Sequence, residues 1–365
     1  ALIFFVAYMA MLYVATRKPL YFAGGLLAGS VAAVIAYKLF NHVRVRVVAW
    51  KTPLKVIDKE GYQICQSLFA IGTGGFFGLG LYQGMPNKIP VVEQDFIFAA
   101  ISEELGGMFA LCLILVCVSC FLMFLNIAMQ LKDSFYKLVA LGLGTIYGFQ
   151  VFLTIGGVTK FIPSTGVTLP LVSYGGSSML STLIIFGIIQ GLYILREDEG
   201  CHIMKKENIN QQKRKQNRDS KQKSGTSVSK NKEFSVITYL FLAIFICLMG
   251  YMVYFQTVKS EDFINSPYNS RQDTFADRVV RGKIMSADGK VLAETVVDAA
   301  GNETRKYPYG NMYAHVVGFS TNGKSGIESN MNFNLLRSHS FVLERMFNEI
   351  KDEKSMGDNV VTTLD

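Results

Sequence analysis

Charge is scarce in this sequence: 18% of its residues are Asp, Glu, Lys or Arg, against about 25% in an ordinary soluble domain. With half of the residues hydrophobic and a mean hydropathy of +0.29, that shortage excludes a typical water-soluble enzyme and makes a lipid bilayer the solvent for most of the chain. Cysteine is sparse as well. The six cysteines lack the spacing of a secreted disulfide framework, and Cys117-x-x-Cys120 lies inside an apolar run with no route to redox partners. No metal site is assigned. Ala1 stands within an apolar run, without a start Met, a basic leader or a cleavage site, and "VVTTLD" ends the chain on a strand-like pattern with no closing element. Both ends are therefore expected to be cuts in a longer protein.

What the sequence does have is length of apolar run. A membrane helix needs about 20 apolar residues, and charge-free runs of that order occupy residues 19–37, 105–131, 138–159, 177–195 and 234–258, with 1–16 as part of a sixth. If all of them span, Arg17/Lys18, Lys132 to Lys137 and the basic stretch 196–232 share one face, which the positive-inside rule makes cytoplasmic. Residues 38–104, 160–176 and everything after Lys259 then lie outside. The basic stretch is rich in Lys, Arg, Gln, Asn and Ser, and it reads as a disordered cytoplasmic tether that also meets anionic lipid. Nucleic acid is not expected as a partner.

The outer loops carry the chemistry. "GYQICQSLFAIGTGGFFGLGLYQG" breaks an apolar segment with glycines, as a segment does that dips into the membrane and returns. In "IPVVEQDFIFAAISEELGG", Glu103 and Glu104 read as helix-start carboxylates favoured by the dipole. Asp95, wedged between a polar loop and Phe96-Ile97-Phe98, is desolvated enough to serve as a general base. "HVRVRVVAWKTPLK" places His42, Arg44, Arg46, Lys51 and Lys55 on the same surface, either as an alternating edge strand kept soluble by charge or as an anion site. "TKFIPSTGVTLPLVSYGGSS" combines Lys160 with Pro163, Gly166, Pro170, Gly175, Gly176 and hydroxyls that bond their own backbone, a loop suited to shaping a cavity.

These strings, in this order, resemble the FtsW/RodA/SpoVE (SEDS) family of cell-wall polymerases, "FIPSTGVTLPLVSYGGSS" most specifically. The resemblance covers residues 1–196 and implies the sixth to tenth helices of a ten-helix fold. It implies a peptidoglycan glycosyltransferase at the bacterial cytoplasmic membrane, with Asp95 as the catalytic base and lipid II as the substrate. One sugar hydroxyl attacks an anomeric carbon and undecaprenyl pyrophosphate leaves. Arg44, Arg46, Lys51, Gln66, Lys160, Ser173, Tyr174, Gly175, Gly176 and Ser177 become the substrate-binding candidates, and a divalent cation at the pyrophosphate is the one cofactor considered. The sequence departs from the family pattern around residues 90–94, at Leu79 where Lys is common, and at Thr154 where Asn is customary. A lipid-linked precursor flippase is the rival reading, since broken helices around an outward cavity also suit transport; a non-catalytic division scaffold is a third.

After the span 234–258, the strings "RVVRGKIMSADGKVLAET", "YPYGNMYAHVVGF" and "GKSGIESNMNFNLL" resemble the N-terminal pedestal of class B penicillin-binding proteins. "GKIMSADGKVLA" reads as a hairpin turning at Ala287-Asp288-Gly289. The S-x-x-K strings at Ser134/Lys137 and Ser220/Lys223 have no S-D-N or K-T-G companion and are chance; the resemblance implies a transpeptidase domain after Asp365. The expected order is thus a SEDS half (1–196), a linker (197–233), a membrane helix (234–258) and a small extracytoplasmic pedestal, α+β or mainly β (259–365). The implied partners are lipid II, the module's own penicillin-binding half in cis, division or elongation proteins, and membrane lipid.

Overall fold

The computed structural model describes residues 2–216, 232–266, 268–269, 271, 279–298, 302–320, 325–336 and 354–364; side chains are described for these except 197–216 and 355. The chain forms two compact units, Ala1–Tyr254 and Phe255–Asp365.

The first unit is helical. α1 (Leu2–Thr16) reverses at Arg17 into α2 (Pro19–Leu39), where Pro at the first helical position removes one amide that would lack an intrahelical partner. α6 (Gly106–Gln130) and α7 (Ser134–Val158) form a second hairpin, its turn closed by Asp133, which accepts from the Phe135 amide at 2.8 Å. α7 is the hub, packed by α1, α6, α8 and α9. At Gly148 the Phe121 ring of α6 lies so near that a Cβ would stand 2.6 Å from it, the close approach small residues allow between membrane helices. Among the described residues, five helices are long and apolar enough to cross a membrane: α2, α6, α7, the stretch Gly176–Arg196 of α8 (Gly176–Gln216), and the stretch Lys232–Ile264 that begins with α9 (Lys232–Tyr254). These match the apolar runs read from the sequence. α8, however, stays helical to Gln216, some way into the segment expected to be an unstructured tether. Residues 217–231 of that segment lie outside the described residues.

Buried Phe234, Ile237, Phe241, Phe245, Leu248 and Met252 give α9 one apolar stripe at three- and four-residue spacing. The stripe meets Phe121 (4.8 Å between ring centroids to Phe241) and Phe152 (6.4 Å to Phe245), while Tyr251 meets Phe161 at 5.3 Å.

Between α2 and α6 the chain builds a helical cap at one end of the bundle. "HVRVRVVAWK" forms α3 (Asn41–Lys51) and not the edge strand considered from its alternation. Tertiary contact overrides the period-two pattern: as a helix it presents Arg46 and Trp50, one turn apart, to the loop after α7, where Trp50 Nε1 donates to the Lys160 carbonyl at 2.9 Å. α4 (Tyr62–Gly74) is buried from Ile64 onward, and its 13 residues are too few to span a bilayer. It packs beside α5 (Ile97–Glu104). The segment after α4 pairs backbone to backbone with the α5–α6 junction: Leu79 N to Glu103 O (3.0 Å), Gly80 N to Glu104 O (2.9 Å), Gly107 N to Gly75 O (2.8 Å) and Met108 N to Phe76 O (3.0 Å). Gly78 and Gly106, at φ 77° and 88°, have no room for a Cβ against one another's backbone, so this pairing requires glycine.

In the second unit, β2 (Ile284–Met285) and β3 (Val291–Val297) form the expected hairpin, within a four-stranded sheet of order β4 (Glu303–Lys306), β3, β2, β6 (Val360–Val361). β1 (Val279–Val280) pairs in parallel with β5 (Ser355–Met356). The core is Ile284, Leu292, Ala293, Val317 and Leu335. Beside it Glu328, fully buried, binds Arg281 (2.7 Å) and Arg305 (2.9 Å) through its two carboxylate oxygens. Arg281 also binds Asn332, and Arg305 bonds the Gly282 carbonyl at 2.7 Å. Burial pulls Arg281 below the usual guanidinium range, and Glu328 opposes that shift.

Glu328→Gln would leave two buried guanidinium groups without their carboxylate, a change that costs about 3–5 kcal/mol. Hydrogen–deuterium exchange on the intact protein should show lost protection across residues 279–298, with the amides of α6 and α7 unchanged.

Candidate active site

Asp95 stands two residues before α5, and not at the mouth of α6. The eight-residue α5 intervenes, and the chain turns at Leu105-Gly106 before the long span begins. Glu103 and Glu104 consequently close α5 and do not open α6. Glu103 is fully buried, and its carboxylate accepts the Met85 amide at 3.0 Å, so it anchors the loop that leads to Asp95. Burial raises the Glu104 carboxyl, opposed by a bond to the Tyr82 backbone and reinforced by Glu103.

Three elements converge on Asp95. From α4, Gln63 Nε2 donates to the Pro90 carbonyl at 2.8 Å. From α3, Arg46 Nη1 donates to the Ser164 carbonyl at 3.3 Å. From the loop after α7, Gly166 (φ 68°) presents a bare backbone: a Cβ there would stand 3.7 Å from both Arg46 Nη2 and Asp95 Oδ2. The same loop is strapped to the Asp95 segment by the Tyr174 amide, which donates to the Glu93 carbonyl at 2.7 Å. Desolvation raises the Asp95 carboxyl above its usual range, while its own backbone amide and the Arg46 charge pull it down. The result is a half-buried carboxylate under opposing influences, desolvation against a backbone amide and a neighbouring cation.

Strain collects here too. Among the described non-glycine residues with positive φ, Tyr82, Val91, Lys160 and Leu171 lie in the two loops, and Arg17 lies elsewhere. A β-branched residue such as Val91 at φ 55° is a costly conformation, of the kind that clusters at functional sites.

The other sequence-derived candidates divide into two groups. Lys160 sits at the end of α7, its carbonyl held by Trp50, and Gln66 is buried on α4. Ser173 Oγ accepts the Leu169 amide at 2.8 Å, so it holds the loop's turn. Tyr174 exposes its ring, Gly175 packs against Thr168 and Ser178, and Gly176 and Ser177 open α8 on the exposed side. Arg44 and Lys51 belong to the second group. Helical geometry sets Arg44 about 200° from Arg46, and its Nη2 donates to the Lys38 carbonyl at 3.0 Å; Lys51, about two helical turns further, shares that exposed side. The cationic strip read from the sequence is therefore split, with Arg46 alone turned to the Ser164–Gly166 wall. Sequence reasoning placed Gly166 and Ser164 in a cavity-shaping loop without assigning them to Asp95, and it passed over Gln150 and Trp50. The one available signal was Trp50, the only tryptophan in the chain. Among the described residues no three His, Cys, Asp or Glu side chains group to hold a metal. A divalent cation would have to bind through one or two carboxylates and the substrate's phosphates.

A polytopic helical bundle with a half-buried carboxylate beside two strained loops defines a multi-pass membrane protein. The FtsW/RodA/SpoVE family, described as "Cell cycle protein", matches residues 1–197, and the chain belongs to it. A penicillin binding protein A dimerisation domain matches residues 281–360 of the same chain. Similar proteins include the peptidoglycan glycosyltransferase RodA of Mycobacterium tuberculosis, 40% identical over 189 residues, which are 52% of this chain and 40% of the relative. The probable peptidoglycan glycosyltransferase FtsW of Geobacter metallireducens is 34% identical over 190 residues, 49% of this chain and 48% of the relative. Stage V sporulation protein E of Bacillus subtilis is 40% identical over 142 residues, 38% of each. The chain spans half or less of the length of these relatives.

Arg46→Met removes a charge that favours the Asp95 carboxylate, so the Asp95 midpoint should rise further, whereas Arg46→Lys should keep it near that of the parent. Carbon-13 NMR titration of aspartate-labelled protein in detergent reads this directly; an unmoved midpoint in Arg46→Met would contradict the arrangement.

Proposed function

We propose that this chain carries the acceptor-activating half of a peptidoglycan glycosyltransferase that polymerises lipid II at the outer face of the bacterial cytoplasmic membrane. The observation that carries the reading is the half-buried Asp95 between Arg46 and the Gly166 wall. In this scheme Asp95 takes the proton of a sugar hydroxyl as its oxygen forms a bond to the anomeric carbon of the other lipid-linked glycan. The bond from that carbon to the pyrophosphate oxygen breaks, and undecaprenyl pyrophosphate leaves with the electron pair. Arg46 and Lys160 are the cations proposed to meet the departing charge. The positive-inside rule supports placing this face outside, since Arg17, Lys18, Lys132, Lys137 and Arg196 lie near the opposite ends of the helices.

The penicillin-binding-protein module in the same chain supports a role in building wall for cell division or cell shape. Covalent linkage raises the effective concentration of one module near the other, so synthesis of a strand and its later cross-linking would be coupled in cis.

Asp95→Asn in the full-length gene product, given lipid II in detergent, should lower polymer formation by about 100- to 10,000-fold, the usual worth of a general base. Polymer formed at the parent rate overturns the assignment of Asp95. Asp95-dependent polymer formation by a parent protein that does not translocate lipid II in proteoliposomes counts against the flippase reading.

A further inference from the structure

The loop that walls Asp95 depends at its centre on the helix behind it. Val167 and Thr168 turn their carbonyls toward α7, which meets them with two side-chain donors. Gln150 Nε2 donates to the Thr168 carbonyl at 3.0 Å. Thr154 Oγ1 lies 2.9 Å from the Val167 carbonyl and 3.2 Å from that of Thr168, and Thr154 is only 3% exposed. The same hydroxyl is 3.0 Å from the Gln150 carbonyl of its own helix. Its single proton is thus shared between helix and loop.

Both ends of the gripped dipeptide lead to Asp95. On one side, Gly166 is the next residue and faces Asp95 Oδ2 and Arg46 Nη2. On the other, Thr168 Oγ1 donates to Ser178 Oγ at 2.7 Å, Ser173 Oγ receives the Leu169 amide, and the Tyr174 amide straps the loop to Glu93, two residues before Asp95. Moving Val167 and Thr168 therefore moves the wall and the strap together.

We propose that Thr154 is a positioning residue for Asp95: its hydroxyl, with the Gln150 amide, holds Val167–Thr168 so that Gly166 stays closed against the carboxylate. The inference rests on the reading of Asp95 as the base. Thr154 touches no reacting group. Its role is to fix where the wall stands, which decides how dry the carboxylate is and where an acceptor hydroxyl can lie.

The test compares Thr154→Val, which keeps the shape and removes the donor, with Thr154→Ser, which keeps the donor, and with Asp95→Asn, all in the full-length gene product. Polymerisation of lipid II in detergent is followed across pH, and thermal unfolding is recorded for each variant. Thr154→Val should lower kcat by about 10- to 100-fold, as small misplacements of a reacting group do. Its KM should stay within about twofold, because only the transition-state geometry is lost. The acid limb of its kcat profile should move to lower pH, since a loosened wall admits water and relieves the desolvation of Asp95. Thr154→Ser should restore both rate and profile. The inference fails by itself if Thr154→Val works at the parent kcat beside an inactive Asp95→Asn, if only KM changes, or if Thr154→Ser is as impaired as Thr154→Val. Parent activity in Asp95→Asn overturns the base reading and this inference with it.

Discussion

A backbone amide or carbonyl inside a membrane protein has no water to turn to, and the arrangement around Asp95 follows from how this chain meets that demand. Unbroken helices meet it by themselves. The segments between α3 and α6 cannot, because they reverse direction within the body of the bundle. They satisfy their polar groups by pairing with one another, residues 75–80 against 103–108, and glycine at the crossing lets the strands touch. The loop after α7 uses a second device: serine and threonine hydroxyls and one glutamine amide take the places a neighbouring strand would fill. Asp95 lies where these two solutions abut, held by backbone on one side and by a hydroxyl-stitched loop on the other.

The long helices were legible in the sequence because their signal is a length of apolar run, which tertiary contacts cannot disguise. The pedestal hairpin was legible for a similar reason, since two short apolar runs around an Asp-Gly turn have few other ways to fold. α3 was not. Its alternation of valine with arginine has strand periodicity, and only Trp50 and Arg46 reaching a loop more than 100 residues away make the helix the better fit. Asp95 could be singled out from its apolar neighbours alone. Its helix could not, because Leu105-Gly106 looks like the interior of an apolar run until Gly106 is found at positive φ. The cationic strip failed in part for the reason α3 did: residues two apart share a side of a strand and oppose each other on a helix.

The two units solve opposite problems with charge. In the first, apolar stripes and close approach hold the helices, and Asp95 and Arg46 stand together beside the loop after α7 and not in a helix interface. In the second, a small sheet with five core residues gains a fixed centre from Glu328 between Arg281 and Arg305. Such a cluster adds little net stability over a well-packed apolar core, but losing one member is severe. It ties the link between β1 and β2, the strand β4 and the helix Gly326–Asn330 into one arrangement, so the sheet has a defined register despite its short strands.

α9 precedes the pedestal in the chain, yet its apolar stripe is buried against helices of the polymerase-like unit. Stoichiometry is thereby written into the molecule at one to one, and turnover of either part removes both. It also changes what inheritance can act on. A substitution in the stripe of α9 is read first as a packing change in the other module, so the two halves share a mutational fate that separately encoded subunits could escape by drifting apart and finding new mates.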